Sequence, residues 1–175
     1  MIDMAFVHEV NELSGQTVQL CYHCHKCTSG CPVADAMAFG PDRVLRMIQL
    51  GERERLLTSH DIWLCASCET CGTRCPNAID ISRVMDALRQ IAVAEEAAIA
   101  EPDAIKFHRL FLALLQRTGR MHEATLLPVY LLWTRGLLDY LGTGSRMFFK
   151  GKVPLRPSLV KARGDIRRIF DESKQ

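Results

Sequence analysis

One cysteine pattern occurs twice in this chain, as Cys21-x-x-Cys24-x-x-Cys27-x-x-x-Cys31-Pro32 and as Cys65-x-x-Cys68-x-x-Cys71-x-x-x-Cys75-Pro76. The two copies use all eight cysteines, so none remains for a disulfide framework or a thiol nucleophile. Thiolates crowded in this way are soft ligands that call for a metal centre. Paired Cys-x-x-Cys units also build structural zinc sites, and eight thiols would fill two tetrahedra. Zinc sites, however, join two such units across an intervening loop. Here three cysteines share each tight run and a fourth follows with proline.

The run resembles the one with which bacterial two-cluster ferredoxins hold cubane 4Fe-4S clusters. Three cysteines spaced by two residues can turn around a compact core, while a fourth placed directly after them points away from it. The resemblance implies a crossed ligand set, with Cys21, Cys24, Cys27 and Cys75 on the first cluster and Cys65, Cys68, Cys71 and Cys31 on the second. Pro32 and Pro76 restrict the preceding cysteine to extended backbone, giving each loop a defined exit. Gly30 and Gly72 give the loops room to bend. His23 and His25 lie between ligands as solvent-facing residues or as donors that tune potential. Lys26 and Arg74 are either plain surface charges or cations that raise the potential by favouring the reduced state. Trp63 reads as a water-excluding cover. The amides of Ser29, Gly30, Gly72 and Thr73 are expected to hydrogen-bond cluster sulfurs.

Between and beyond the loops the periodicity is helical. Phe6, Val7, Val10 and Leu13 share a face that Gly15 terminates, and Gly40-Pro41 opens a helix bearing Val44, Leu45 and Ile48 that ends at Gly51. A short helical stretch at 52–58 leads to Ile62, Trp63 and Leu64. Asp80 is a candidate N-cap for a longer helix with the stripe Ile81, Val84, Met85, Leu88 and Ile91. This helix fades over 92–100 and ends before Pro102. No segment alternates with period two. The first cysteines of the two runs lie 44 residues apart with helical sequence between them, whereas small bacterial ferredoxins set their loops on β-hairpins. The expected fold is therefore all-α: an alpha-helical ferredoxin domain at 1–100 with two cluster loops, then a helical C-terminal extension at 101–175. In that extension, Ile105 to Leu115 and Leu126 to Leu138 are apolar on more than one helix face and want cover. Another subunit would supply it, or the two segments would form a hairpin packed on the first domain.

At 175 residues and 48% hydrophobic content the chain can bury one modest core. The net charge of +2 is unevenly spread, because residues 145–175 hold nine Lys or Arg against three Asp or Glu. That tail is a docking surface or a solvated basic helix. No aromatic interleaving supports nucleic-acid binding. The most apolar run, Leu126 to Leu141, is interrupted by Pro128, Arg135 and Asp139 and is shorter than the ~20 residues a span requires, so no integral membrane protein is expected. The N-terminus lacks a signal-peptide pattern, and thiol usage fits a reducing cytoplasm.

With both loops, the helical spacer and the apolar extension in hand, the chain resembles the two-cluster iron-sulfur subunit of heterodisulfide reductase, from about Glu9 to Ala98. Similar paired motifs occur in iron-sulfur subunits of glycolate oxidase, anaerobic glycerol-3-phosphate dehydrogenase and quinone-interacting membrane oxidoreductases. The resemblance implies a non-catalytic electron-transfer subunit of a soluble oxidoreductase complex. It would pass single electrons through two 4Fe-4S clusters from a flavin-containing partner to a cysteine-rich catalytic partner of the same hetero-oligomer. The alternative it leaves open is a relay for a glycolate, glycerol-3-phosphate or quinone-linked enzyme. The chain has no adjacent Cys-Cys pair for disulfide chemistry and no Gly-rich dinucleotide fingerprint, so no catalytic residue is assigned and flavin must sit on a partner.

Overall fold

The computed structural model describes residues 3–134, 142, 145–147, 149–150, 160 and 162–172. Among these the chain is all-α: helices, 3-10 turns and connecting loops, with no strand. It divides into two compact units, Met1–Glu101 and Pro102–Gln175.

The first unit opens with α1 (Met4–Ser14). Asp3 caps it, its carboxylate accepting from the Phe6 amide at 3.1 Å, and Gly15 ends it in the left-handed region at φ 64°. Phe6, Val7 and Val10 fall on one face and are fully buried. A first short helix, α2 (Lys26–Ser29), lies within the first cysteine run. It is followed by α3 (Gly40–Gln49), α4 (Arg53–Leu57) and α5 (Asp61–Leu64). The second run contains α6 (Thr70–Arg74) and leads into α7 (Ile81–Ala94). Asp80 caps α7 as its sequence suggested, its Oδ1 accepting from the Ser82 and Arg83 amides at 3.1 and 3.3 Å. The chain is thus a loop-plus-helix unit used twice.

The core forms where α1, α3, α4 and α7 meet. Val44, Leu45 and Ile48 from α3 join Leu56 and Leu57 from α4 and Val84, Met85, Leu88 and Ile91 from α7, all essentially inaccessible. At roughly 1.5–3 kcal/mol for each large side chain taken out of water, this apolar face is what holds the helices together. Arg53 fastens the rim: it donates to Glu9 at 2.8 Å and pairs with Glu95 while its guanidinium covers the Phe6 ring at 5.0 Å. Between α3 and α4, Gly51 sits at φ 72°, and a Cβ there would lie 2.3 Å from the Asp3 backbone nitrogen. Only glycine fits that crossing.

In the second unit, α8 (Pro102–Thr118) and α9 (Glu123–Trp133) pack together, and α10 (Arg163–Glu172) packs on α8. Phe107 stacks on Phe111 and meets Tyr130 edge-on at 5.5 Å. Helix α9 runs through Pro128. It is apolar all round, yet among its described residues only Leu126 is buried, while Leu127, Val129, Leu132 and Trp133 stay exposed. No helix among the described residues is long and apolar enough to cross a membrane. Much of the basic tail, including Lys152, Arg156, Lys161 and Lys174, lies outside the described residues, as do Leu137 and Leu138. The described tail helix α10 balances Arg163, Arg167 and Arg168 against Asp165, Asp171 and Glu172.

Candidate iron-sulfur centre

Each cysteine run folds the same way. The second and fourth residues after the first cysteine take positive φ: His23 at 59° and His25 at 62°, Ser67 at 49° and Glu69 at 60°. Non-glycine residues adopt this conformation at a cost of roughly 1–2 kcal/mol each. Its repetition at identical offsets shows that the loop is wound to place the three cysteines, and not relaxed to its own minimum. The winding then closes on α2 and α6, with Ser29 N donating to His25 O at 3.1 Å and Thr73 N to Glu69 O at 3.2 Å. The fourth cysteine leaves by matching bonds, Cys31 N to Thr28 O and Cys75 N to Gly72 O, both 3.1 Å. Ser29 and Thr73 amides, expected from sequence to face sulfur, are therefore spent on the turns, as is Gly30 N, which donates to Thr28 O. Of that group Gly72 alone directs its amide at a thiol, Cys71. The His23, Thr28 and Thr70 amides make equivalent bonds to Cys21, Cys27 and Cys68.

Two polar side chains that the sequence did not single out clamp the loops from the following helices. Gln49 of α3 donates through Nε2 to Val18 O at 2.9 Å and Cys21 O at 3.1 Å. Arg89 of α7 donates through Nε to Ile62 O at 2.6 Å and through a terminal nitrogen to Cys65 O. In each case the acceptors are the first cysteine and the residue three before it. The clamps also reach the same loop position, His23 Nε2 donating to Gln49 Oε1 at 3.0 Å and Arg89 donating weakly to Ser67 Oγ at 3.5 Å. A third such residue is Asp42, a buried carboxylate at the start of α3. It accepts from Thr28 Oγ1 and from His25 Nδ1, the latter at 2.8 Å. Both loop histidines are thus engaged by α3, although His23 Nδ1 also lies 3.9 Å from Cys21 Sγ. Trp63 packs against the core as a cover would, with its Nε1 buried and unpartnered.

All eight thiols are free. Cys31 lines one pocket together with Cys65, Cys68 and Cys71, walled by Val33, Met37, Ile81 and Met85. The first run is brought beside the end of the second: Asn77, two residues after Cys75, donates to the carbonyl of Leu20 just before Cys21, and a charge on Cys75 contributes to raising the Cys21 thiol. Helices α2 and α6 pack on each other, with the Arg74 side chain lying across Gly30. Lys26, Ser29 and Arg74 line an open notch between the loops, and neither cation has an ion-pair partner among the described residues. Cys24 and Cys68 are exposed, whereas Cys27 is buried.

The donor set suits a polynuclear cationic core. Burial, then the neighbouring thiols and Asp42, pushes the Cys21 and Cys27 thiols up from their ordinary value, and burial with Cys65 alongside pushes Cys71 to about 11. Thiolates crowded this closely in apolar walls are stable only against positive charge, which bound iron would supply. Cys68 departs in the other direction, lowered by its 3.4 Å contact with the Thr70 hydroxyl. Among the described residues no three His, Cys, Asp or Glu side chains converge tightly enough for a single bare ion; four of the thiols, Cys31, Cys65, Cys68 and Cys71, instead line a pocket.

Comparison with known proteins agrees with this chemistry. Residues 20–80 match the family model of the 4Fe-4S dicluster domain. The chain is 32% identical over 103 residues to a CoB–CoM heterodisulfide reductase iron-sulfur subunit of Methanopyrus kandleri, covering 59% of this chain and 50% of that protein. It is 35% identical over 99 residues to the corresponding iron-sulfur protein of Methanocaldococcus jannaschii, covering 52% and 53%. It is 31% identical over 109 residues to the C2 component of the H2/formate:CoB–CoM heterodisulfide,ferredoxin reductase of Methanococcus maripaludis, covering 58% of each. The chain spans about half the length of these relatives. Residues 20–80 are thus similar to the 4Fe-4S dicluster domain, and rather more than half of the chain is similar in sequence to these heterodisulfide reductase iron-sulfur subunits.

Proposed function

We propose that this chain is the electron-transfer subunit of a heterodisulfide reductase-type complex. It passes single electrons from a flavin-bearing partner to a cysteine-rich partner where a disulfide is reduced. Two bound 4Fe-4S clusters would supply the one-electron chemistry. The observation that carries the reading is the grouping of Cys31 with Cys65, Cys68 and Cys71 in one pocket, while Cys75 lies within electrostatic reach of Cys21. It supports the crossed reading, in which Cys21, Cys24, Cys27 and Cys75 would hold one cluster and Cys65, Cys68, Cys71 and Cys31 the other.

The residues of the chain position, bury and tune. The left-handed turns at His23, His25, Ser67 and Glu69 aim the thiols, Gln49 and Arg89 fix the loop entries, and Val33, Met37, Ile81 and Met85 exclude water from one side. The exposed Cys24 and Cys68 bring each set within reach of a partner's redox centre. Reduction of one disulfide to two thiols consumes two electrons and two protons, so the chain passes two electrons per turnover, one at a time. The reduced flavin of the partner is the source, and the protons are taken up where the disulfide is cleaved. The exposed apolar side chains of α9 fit burial against another subunit, and a reducing cytoplasm keeps the thiols available.

Anaerobic copurification tests this. A flavoprotein and a protein with adjacent-cysteine motifs should accompany the chain, and its visible absorbance should bleach when the flavoprotein is reduced. A quinone-reactive dehydrogenase partner in their place would favour the glycolate or glycerol-phosphate relay instead.

A further inference from the structure

The two halves of the repeat are matched in backbone and mismatched in charge. Where α3 clamps the first loop with the neutral amide of Gln49, α7 clamps the second with the guanidinium of Arg89, bonded to the carbonyls of the repeat-equivalent residues. Arg89 is held close, its side chain only 19% exposed. The first loop has the opposite charge built in: Asp42, its side chain 7% exposed, is tied to Thr28 and His25, the neighbours of Cys27 and Cys24. Its charge is felt by both Cys21 and Cys27.

Two further carboxylates stand near the second loop, Asp61, buried just ahead of Cys65, and Asp80, beside Gly72, and each accepts two backbone amides whose dipoles offset part of its charge. Lys26 and Arg74 share the notch between the loops and act on both sides through solvent. Arg46 reaches Gln49 at 3.2 Å but is exposed. Glu69 in the second loop and Asp86, 3.8 Å from Arg89, are exposed as well. Charges in water are strongly screened, while Asp42 and Arg89 act at lower dielectric.

We propose that Asp42 and Arg89 bias where an electron rests, making the cluster at Cys21, Cys24 and Cys27 the weaker acceptor and the one at Cys65, Cys68 and Cys71 the stronger. A reduced cluster carries one more negative charge. A buried carboxylate beside it disfavours that charge and a guanidinium favours it. Electrons entering at the first loop therefore run downhill to the second. Asp42 and Arg89 act here as positioning and tuning residues that bind no substrate. The inference rests on the two-cluster reading above.

The test is a redox titration of the full chain followed by electron paramagnetic resonance at pH 8, above the ordinary histidine range. Cys24→Ser and Cys68→Ser each mark one signal by altering it. In the unsubstituted protein the first electron should rest mainly on the cluster of the second loop. Asp42→Asn should raise the midpoint of the first-loop cluster and leave the other in place. Arg89→Gln, which installs the first loop's own clamp, should lower the second-loop midpoint. Each should shift the occupancy ratio after one-electron reduction by on the order of tenfold, the effect of a unit charge at roughly 10 Å in an effective dielectric of roughly 20.

Should Asp42→Asn lose its clusters, Gln49→Arg carries the same test, because it adds the missing cation and should raise the first-loop midpoint. Midpoints that ignore these substitutions, or a first electron resting on the first loop, overturn the bias and leave the two-cluster reading intact. A chain without iron and without any reducible signal overturns that reading itself.

Discussion

Asp61 offers a sharp test of how the two cysteine runs are held in register. It is 1% exposed, opens α5 just ahead of Cys65, and accepts the Ala38 amide at 2.9 Å on Oδ1 and the Phe39 amide at 2.6 Å on Oδ2. Those amides belong to the segment that carries the chain from Cys31 into α3 and whose Met37 and Pro41 line the pocket with Cys31 and Cys65. Asp61→Ala strands two donors. A hydrogen bond to a charged group contributes about 1.5–3 kcal/mol and an unsatisfied buried amide costs about 1–3 kcal/mol. Because Ala38 is exposed and its amide can recover water, and because a buried charge is also removed, the net loss expected is about 2–3 kcal/mol. That is a large part of the roughly 5–15 kcal/mol that holds a domain folded. With a urea slope of about 1–3 kcal/mol per molar, the midpoint should fall by about 0.7–3 M. Anaerobic urea unfolding, read by circular dichroism and by visible absorbance, checks this. Asp61→Asn keeps one acceptor and opposes an NH2 group to the second donor, so it should fall between the two. A loss below about 0.5 kcal/mol for Asp61→Ala, or an Asn variant as stable as the unsubstituted protein, would refute the proposed bracing.

Asp80 gives a pH-dependent counterpart. The Ser82 hydroxyl first, then the Ser82 and Arg83 amides, hold its carboxyl below the ordinary range, so its contribution is present above the ordinary carboxylate value of about 3.9 and lost as pH falls through the lowered one. Asp80→Ala should cost about 1 kcal/mol at pH 7, with the difference in urea midpoint shrinking below about pH 4; an unchanged gap at pH 3 would contradict the cap. At Ser67, φ 49°, valine should cost at least about 1–2 kcal/mol and glycine should be tolerated, and thermal melts showing the two equally stable would refute the winding argument. Replacing Cys75 by serine should alter the paramagnetic signal of the cluster held by Cys21, Cys24 and Cys27, and Cys31→Ser the other; loss confined to the cluster nearer in sequence would defeat the crossed assignment.

What the sequence made legible follows from local rules. Gly15, Gly51 and Asp80 act within one turn of themselves, so they marked helix ends correctly, and the apolar stripes of α1, α3 and α7 became the core, except that Leu13 at the end of α1 is exposed. The cysteine spacing announced the loops, but not how they are held. Asp42, Gln49, Asp61 and Arg89 sit on helices where a polar side chain ordinarily faces water, and the loop backbone and side-chain groups that Gln49, Asp61 and Arg89 hold lie 22 to 31 residues away. No local pattern distinguishes such a residue from its solvated neighbours. The left-handed turns were hidden for a related reason: His23, His25, Ser67 and Glu69 are not glycines, and only their matching offsets in the two runs hint at a shared conformation. Ser29 and Thr73 show the opposite error, since proximity to a ligand suggested sulfur-facing amides that one-turn helices had already engaged. The basic tail lies mostly outside the described residues, and its described helix, α10, alternates charge signs along its length.

The account stands or falls on what the eight thiols hold. Iron, acid-labile sulfide and zinc should be measured on anaerobically purified full chain, with paramagnetic resonance after dithionite. Two 4Fe-4S clusters predict about eight iron and eight sulfide per chain, no stoichiometric zinc, and two interacting reducible signals. About two zinc ions per chain with no sulfide and no signal on reduction would contradict it.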